Sequence, residues 1–135
     1  KLICQRPCQQ GRRLMTEYRT GLMASQLFHL SEDHFDGSGL KVSTLHLACE
    51  MACHNVLVTR YDTDDASVGI RNDIWFWGDA QPGSYLDAEA VIFYIDRKRI
   101  VFNVFVRSGV IEIARGQHER LLVSQSAFMA SLAAD

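Results

Sequence analysis

The segment AEAVIFYIDRKRIVFNVFVRSGVIEIA, residues 88–114, decides the fold. Its apolar run is broken only at Asp96-Arg97-Lys98-Arg99 and at Ser108-Gly109, which divides it into three strands of an antiparallel meander. Whether Arg97-Lys98 forms a two-residue turn or Asp96 to Arg99 a four-residue one, Ile95 faces Ile100, Phe93 faces Phe102 and Val91 faces Val104. With Ser108-Gly109 as the next two-residue turn, Val106 faces Ile111 and Val104 faces Ile113. Alternation with period two then gathers Val91, Phe93, Ile95, Ile100, Phe102, Val104, Val106, Ile111 and Ile113 on one wholly apolar face, the expected core.

The opposite face carries Ile92, Tyr94, Val101, Asn103, Phe105, Arg107, Val110, Glu112 and Ala114. It is too apolar for a freely solvated surface and too polar for a dry interior. A cover is therefore expected: helices, a second copy of the chain, or a small ligand held by a few polar groups.

Working outward, Asp73-Ile74-Trp75-Phe76-Trp77-Gly78 reads as a further strand with Trp75 and Trp77 on one side. Val56 to Tyr61 is β-branched enough for another, and Val68 to Arg71, or on to Trp77, follows a polar turn. Met15, Tyr18, Leu22 and Met23 recur at helical spacing between Arg12 and Phe28, with Gly21 tolerated inside. Asp36-Gly37-Ser38-Gly39 is a break, after which Ser43 can cap a helix through Leu45, Ala48, Cys49, Ala52 and Cys53; alternation over Leu40 to Leu47 also admits a strand. A last helix is expected from His118 to Ala133, with Leu121, Leu122, Phe128, Met129 and Leu132 on one side and Gly116 before it. The expected class is α+β: N-terminal helices and a C-terminal helix packed on a four- to five-stranded antiparallel meander sheet.

At 135 residues, 47% hydrophobic and 22% charged, the chain has the size and composition of one globular domain. Residues 15–135 are expected to form it, preceded by a basic, flexible extension over residues 1–14. Basic residues number five against one acid in residues 1–27, three against twelve in 28–96, and six against three in 97–135. Such asymmetry can be satisfied within one molecule and demands no nucleic-acid partner. No apolar run is long enough for a membrane-spanning helix, and Leu2-Ile3-Cys4 is too short for a signal peptide's apolar region, so cytoplasmic residence is the expectation.

Four clusters carry possible chemistry. Cys4 and Cys8, and Cys49 and Cys53, are spaced four apart, and on a helix His46, Cys49 and Cys53 share one stripe. Structural zinc sites draw close-set ligands from turns, so buried free cysteines are the better reading; no metal and no cofactor is assigned, and disulfides between the two pairs are not required. Asp62, Asp64 and Asp65 lack the Gly and Glu positions of a calcium loop and read as a solvated turn. Glu32-Asp33-His34 with Asp36 has no nucleophile fixed by spacing and reads as helix capping. The basic tip Arg97-Lys98-Arg99 reads as a solvated turn rather than a phosphate contact, because the sequence pI of about 6.2 is far from that of a nucleic-acid binder. No phosphate-binding loop, dinucleotide fingerprint or nucleophile elbow is present.

The mixed face is thus the functional clue. The favoured expectation is a non-enzymatic binding protein that self-associates as a homodimer through Trp75, Trp77, Tyr94 and Phe105. The alternative is a small-molecule pocket on the same face, catalytic or not, in which Asn103, Glu112 and Tyr94 orient a ligand against the aromatics.

Overall fold

The structure is a computed structural model and describes residues 18–134. A short strand β1 (Met23–His29) leads through a single 3-10 turn (Glu32–His34) to a small hairpin of β2 (Phe35–Asp36) and β3 (Gly39–Leu40). Helix α1 (Val42–Val58) follows, then β4 (Asp65–Phe76), β5 (Tyr85–Asp96), β6 (Arg99–Ser108), β7 (Ile111–Ser124) and a terminal helix α2 (Gln125–Ala134). The five long strands form one antiparallel sheet in the order β1-β5-β6-β7-β4. The meander is its centre, as the sequence predicts.

Helix α1 lies across one face of the sheet and packs mostly on β1 and β5. Leu45, Ala48, Cys49, Ala52, Cys53, Val56 and Leu57 recur at spacings of three and four and are all buried. Small residues in the middle of that stripe let the helix sit close to Ala88 and Ala90 of β5, which are also buried. The cap position is Lys41 rather than Ser43, its carbonyl accepting from Thr44 and Leu45 N–H.

Three expectations about elements are corrected. The helix read over residues 12–28 ends in a strand instead: Gly21 takes φ +91° and donates to the Ile92 carbonyl, and residues 23–29 pair with Val91 to Tyr85. A short apolar run does not distinguish the two states, and an available sheet edge decides. Residues 56–58, read as a strand, complete α1, where burial of Val56 and Leu57 outweighs β-branched propensity. The helix expected from His118 begins only at Gln125, with residues 118–124 belonging to β7, and no residue of α2 is buried. Cys4, Cys8 and the 1–14 extension lie outside the described residues.

Bulges correct the register. Ile95 pairs with Ile100 across an Arg97-Lys98 turn, Arg97 taking φ +59°, but Phe93 is an extra residue, so Phe102 faces Ile92 and Val104 faces Ala90. Phe93 is consequently 57% exposed while Ile92 is buried. The second turn is Gly109-Val110, with Ser108 opposite Ile111 and a bulge at Ile113, so Val106 faces Ala114 and Val104 faces Gly116. Ile100, Phe102, Val104, Val106 and Ile113 are buried as expected, and Ala114 joins them. Val91, Phe93 and Ile111 leave the expected core.

Candidate active site

The inward residues of β7 between Gly116 and Leu122 are His118 and Arg120, two polar side chains in the layer beneath α1. Opposite them on β4 stand Asn72, paired with His118, and Gly69, paired with Arg120. A bulge at Ile70 makes this possible: it shifts the inward parity of β4 from odd numbers (Ser67, Gly69) to even ones (Asn72, Ile74). Without the extra residue Asn72 would point away from His118. Glu50, on the middle of α1, approaches from above.

These groups form one hydrogen-bonded line. Arg120 Nη1 lies 3.2 Å from His118 Nε2, His118 Nδ1 lies 2.6 Å from Asn72 Oδ1, and Asn72 Nδ2 lies 3.2 Å from Glu50 Oε1. A guanidinium has no acceptor, so its N–H donates to Nε2; the imidazole then carries its proton on Nδ1 and donates to the Asn72 carbonyl oxygen. The Asn72 amide in turn donates to the Glu50 carboxylate. Every bond points toward Glu50. Burial pushes the His118 pKa down to about 4, the Arg120 cation acting the same way and Glu50 opposing, so the imidazole is neutral at pH 7, as this donor order requires.

Arg120 is held on its other side by Ser67, whose hydroxyl accepts from Nε at 2.8 Å and whose carbonyl accepts from Nη2 at 3.1 Å. Tyr61 donates to the same hydroxyl at 2.6 Å, and His54 meets the Tyr61 ring edge-on at 5.9 Å. Burial lowers the His54 pKa and raises that of Tyr61. Arg120 is only 9% exposed, and among the described residues no carboxylate lies within ion-pair distance of its guanidinium. A buried cation without a counter-ion is costly and suited to meet negative charge supplied from outside. Gly69 leaves the space: a Cβ there would stand 3.1 Å from His118 Cε1 and 3.4 Å from Arg120 Nη1.

The other clusters singled out in the sequence resolve into structural roles. Cys49 and Cys53 are buried free thiols, Cys49 pushed up to about 12 and Cys53 also raised by burial. Among the described residues no group of His, Cys, Asp and Glu side chains is arranged to hold a metal. Asp64 caps α2, accepting from Ser126 N–H at 3.0 Å, and His34 Nδ1 accepts from Ser31 N–H at 2.9 Å in the 3-10 turn. Arg99 of the basic hairpin bonds Glu119 at 2.9 Å and covers the Tyr94 ring at 5.7 Å.

Of the six expected site residues, Trp75, Trp77, Asn103 and Phe105 line one groove of about 450 Å³ on the sheet face away from α1. Glu112 stands at its rim, bonded through both oxygens to Arg115, while Tyr94 lies outside it beneath Arg99. The sequence reading missed Glu50, Asn72, His118 and Arg120. The alternation Gly116, His118, Arg120, Leu122 was the available signal, concealed because its two central members are polar.

Residues 29–126 match the profile of the family described as FlK, fluoroacetyl-CoA-specific thioesterase. No curated protein sequence matches the chain. Among solved structures, a point mutant of the fluoroacetyl-CoA thioesterase FlK with bound fluoroacetate is similar with TM-score 0.80 and 18% identity, over 86% of this chain and 97% of that one. A thioesterase superfamily member from Thermus thermophilus gives 0.78 and 14%, over 85% and 90%. The 1,4-dihydroxy-2-naphthoyl-CoA thioesterase of Synechocystis gives 0.64 and 16%, over 76% and 82%. The shared architecture is the hot-dog fold, an antiparallel sheet wrapped around a helix. The match over residues 29–126 overturns the expectation of a non-enzymatic interaction protein, and the chain belongs to the fluoroacetyl-CoA-specific thioesterase family.

Proposed function

We propose that this protein hydrolyses acyl-CoA thioesters, with Glu50 as the base that activates water. The observation that carries the reading is the one-directional line of hydrogen bonds from Arg120 through His118 and Asn72 to Glu50. Donation from Asn72 holds one carboxylate oxygen in place, leaving the other to receive a proton.

In the first step Glu50 takes a proton from water as the water oxygen bonds to the thioester carbonyl carbon, and the carbonyl π pair moves onto oxygen. In the second the tetrahedral intermediate re-forms its carbonyl and expels the CoA thiolate. The proton held by Glu50 returns to the thiolate, leaving a free acid and CoA. His118 stays neutral throughout and acts as a positioning residue. Arg120 fixes the imidazole and lends positive potential to the site in which negative charge develops.

The family name indicates a small acyl group and the Synechocystis structure a bulky aromatic one. Both are CoA thioesters, so the first assay follows thiol release from fluoroacetyl-, acetyl- and an aromatic acyl-CoA. Glu50→Gln keeps the size of the side chain and the contact with Asn72. Loss of a general base costs about 10²- to 10⁴-fold in turnover, and that loss is expected with thermal stability retained. Hydrolysis at an undiminished rate in Glu50→Gln overturns the assignment.

A further inference from the structure

The face of the sheet turned away from α1 carries two cross-strand rows that the hydrolytic site does not use. In one, Trp75 of β4, Arg115 of β7 and Phe105 of β6 stand side by side; in the next, Asp73, Gln117 and Asn103 do. Between them lies the groove of about 450 Å³, a volume in the range of small-molecule sites.

Part of its wall is held before any ligand arrives. The Trp77 indole N–H donates to the Glu112 carbonyl at 3.1 Å, and the Arg115 guanidinium covers the Phe105 ring at 4.9 Å. Arg115 is also bonded to both oxygens of Glu112, at 2.9 and 3.1 Å, and Arg71 nearby is paired with Asp73 and Glu119. The cations are therefore matched, and the groove offers no net charge to attract an anion. What it leaves open are donors. Gln117 donates to Asn103 Oδ1 at 3.3 Å, while Asn103 Nδ2 and the indole N–H of Trp75 have no acceptor among the described residues. Trp75 is 74% exposed, an unusual position for an indole.

We infer that this groove is a second binding site, for an uncharged planar heteroaromatic ring bearing hydrogen-bond acceptors. Such a ring stacks on the indoles of Trp75 and Trp77, and its acceptors meet the Asn103 amide. A second copy of the chain fits less well: a two-fold contact sets the same patch against itself, so two concave grooves would face each other with nothing to fill them. The site lies across the sheet from Glu50, so its ligand is distinct from the thioester, and the inference stands independently of the hydrolytic reading.

The chain contains two tryptophans, both in this groove, so native emission reports on it. The 135-residue chain is titrated with nicotinamide, caffeine and adenosine to about 10 mM, above the ~1 mM dissociation constant typical of weak small-ring binding. Saturable quenching by at least one of the three is expected, beyond the collisional quenching of N-acetyltryptophanamide. Asn103→Leu should weaken it at least about fivefold, roughly 1 kcal/mol, for one lost hydrogen bond, with the unfolding midpoint kept. Linear quenching by all three, or loss of quenching in none of Asn103→Leu and Trp75→Ala, overturns the proposal. So does a dimer by light scattering whose dissociation on dilution red-shifts the tryptophan emission, because a second copy then occupies the face.

Discussion

The Nη1 of Arg120 donates to the Nε2 of His118 at 3.2 Å inside the core, a cation bonded to an imidazole that must therefore remain neutral. This relationship ties stability to pH with a definite sign. The folded-state pKa of His118 is about 4, below the ordinary value of 6.5. Between those values the unfolded chain binds a proton that the folded one refuses, so stability from this group is complete above pH 6.5 and declines as pH falls toward 4. His118→Gln should flatten that part of the curve of unfolding midpoint against pH. An unchanged slope between pH 4 and 6.5 would remove His118 as its source.

Asn72 bridges His118 and Glu50, so its loss strikes fold and site together. Asn72→Ala leaves the buried Nδ1–H of His118 without an acceptor, at a cost of about 1 to 3 kcal/mol in urea denaturation. Asn72→Asp replaces the carbonyl with a carboxylate and should raise the His118 pKa, seen by NMR titration of the ring protons. A lowered or unmoved pKa in that variant would refute the contact.

Gly116 is fixed by contact between strands. A Cβ there would overlap the Asp73 carbonyl oxygen and stand 2.7 Å from the Ile74 Cα. Backbone cannot yield as a side chain can, so Gly116→Ala should cost about 3 kcal/mol or more, or fail to accumulate as folded protein. Calorimetry of the variant beside Gly109→Ala, whose Cβ meets nothing within 4 Å but whose φ is +63°, separates crowding from strain. Equal losses in the two would argue against crowding.

Cys49 and Cys53 should resist alkylation in the folded state, because burial holds both thiols protonated. Iodoacetamide at pH 8 followed by peptide mapping should leave both unmodified in buffer and modify both in urea. Rapid labelling of either without denaturant would show that the helix stripe opens.

Much of this protein follows from local pattern alone. The meander over residues 88–114, the amphipathic stripe of α1 and the turn at Arg97-Lys98 are written in period two, period 3.6 and polar interruption, because each element buries one apolar face. Alternation along short stretches pairs Asn103 with Phe105 and Trp75 with Trp77, but which sheet face the tryptophans take is not deducible from the sequence, and only the tertiary pairing brings both pairs to one groove. The active-site candidates were not. His118 and Arg120 are inward residues of a strand whose polar character hides its alternation, and Asn72 reaches them only because of a bulge at Ile70 that no local propensity marks. Which strand edge captures residues 23–29, where the extra residues Ile70, Phe93 and Ile113 sit, and hence which side chains face α1, depend on partners distant in the chain. Tertiary packing decides those matters, because one inserted residue costs little locally yet turns every following side chain to the opposite face of the sheet.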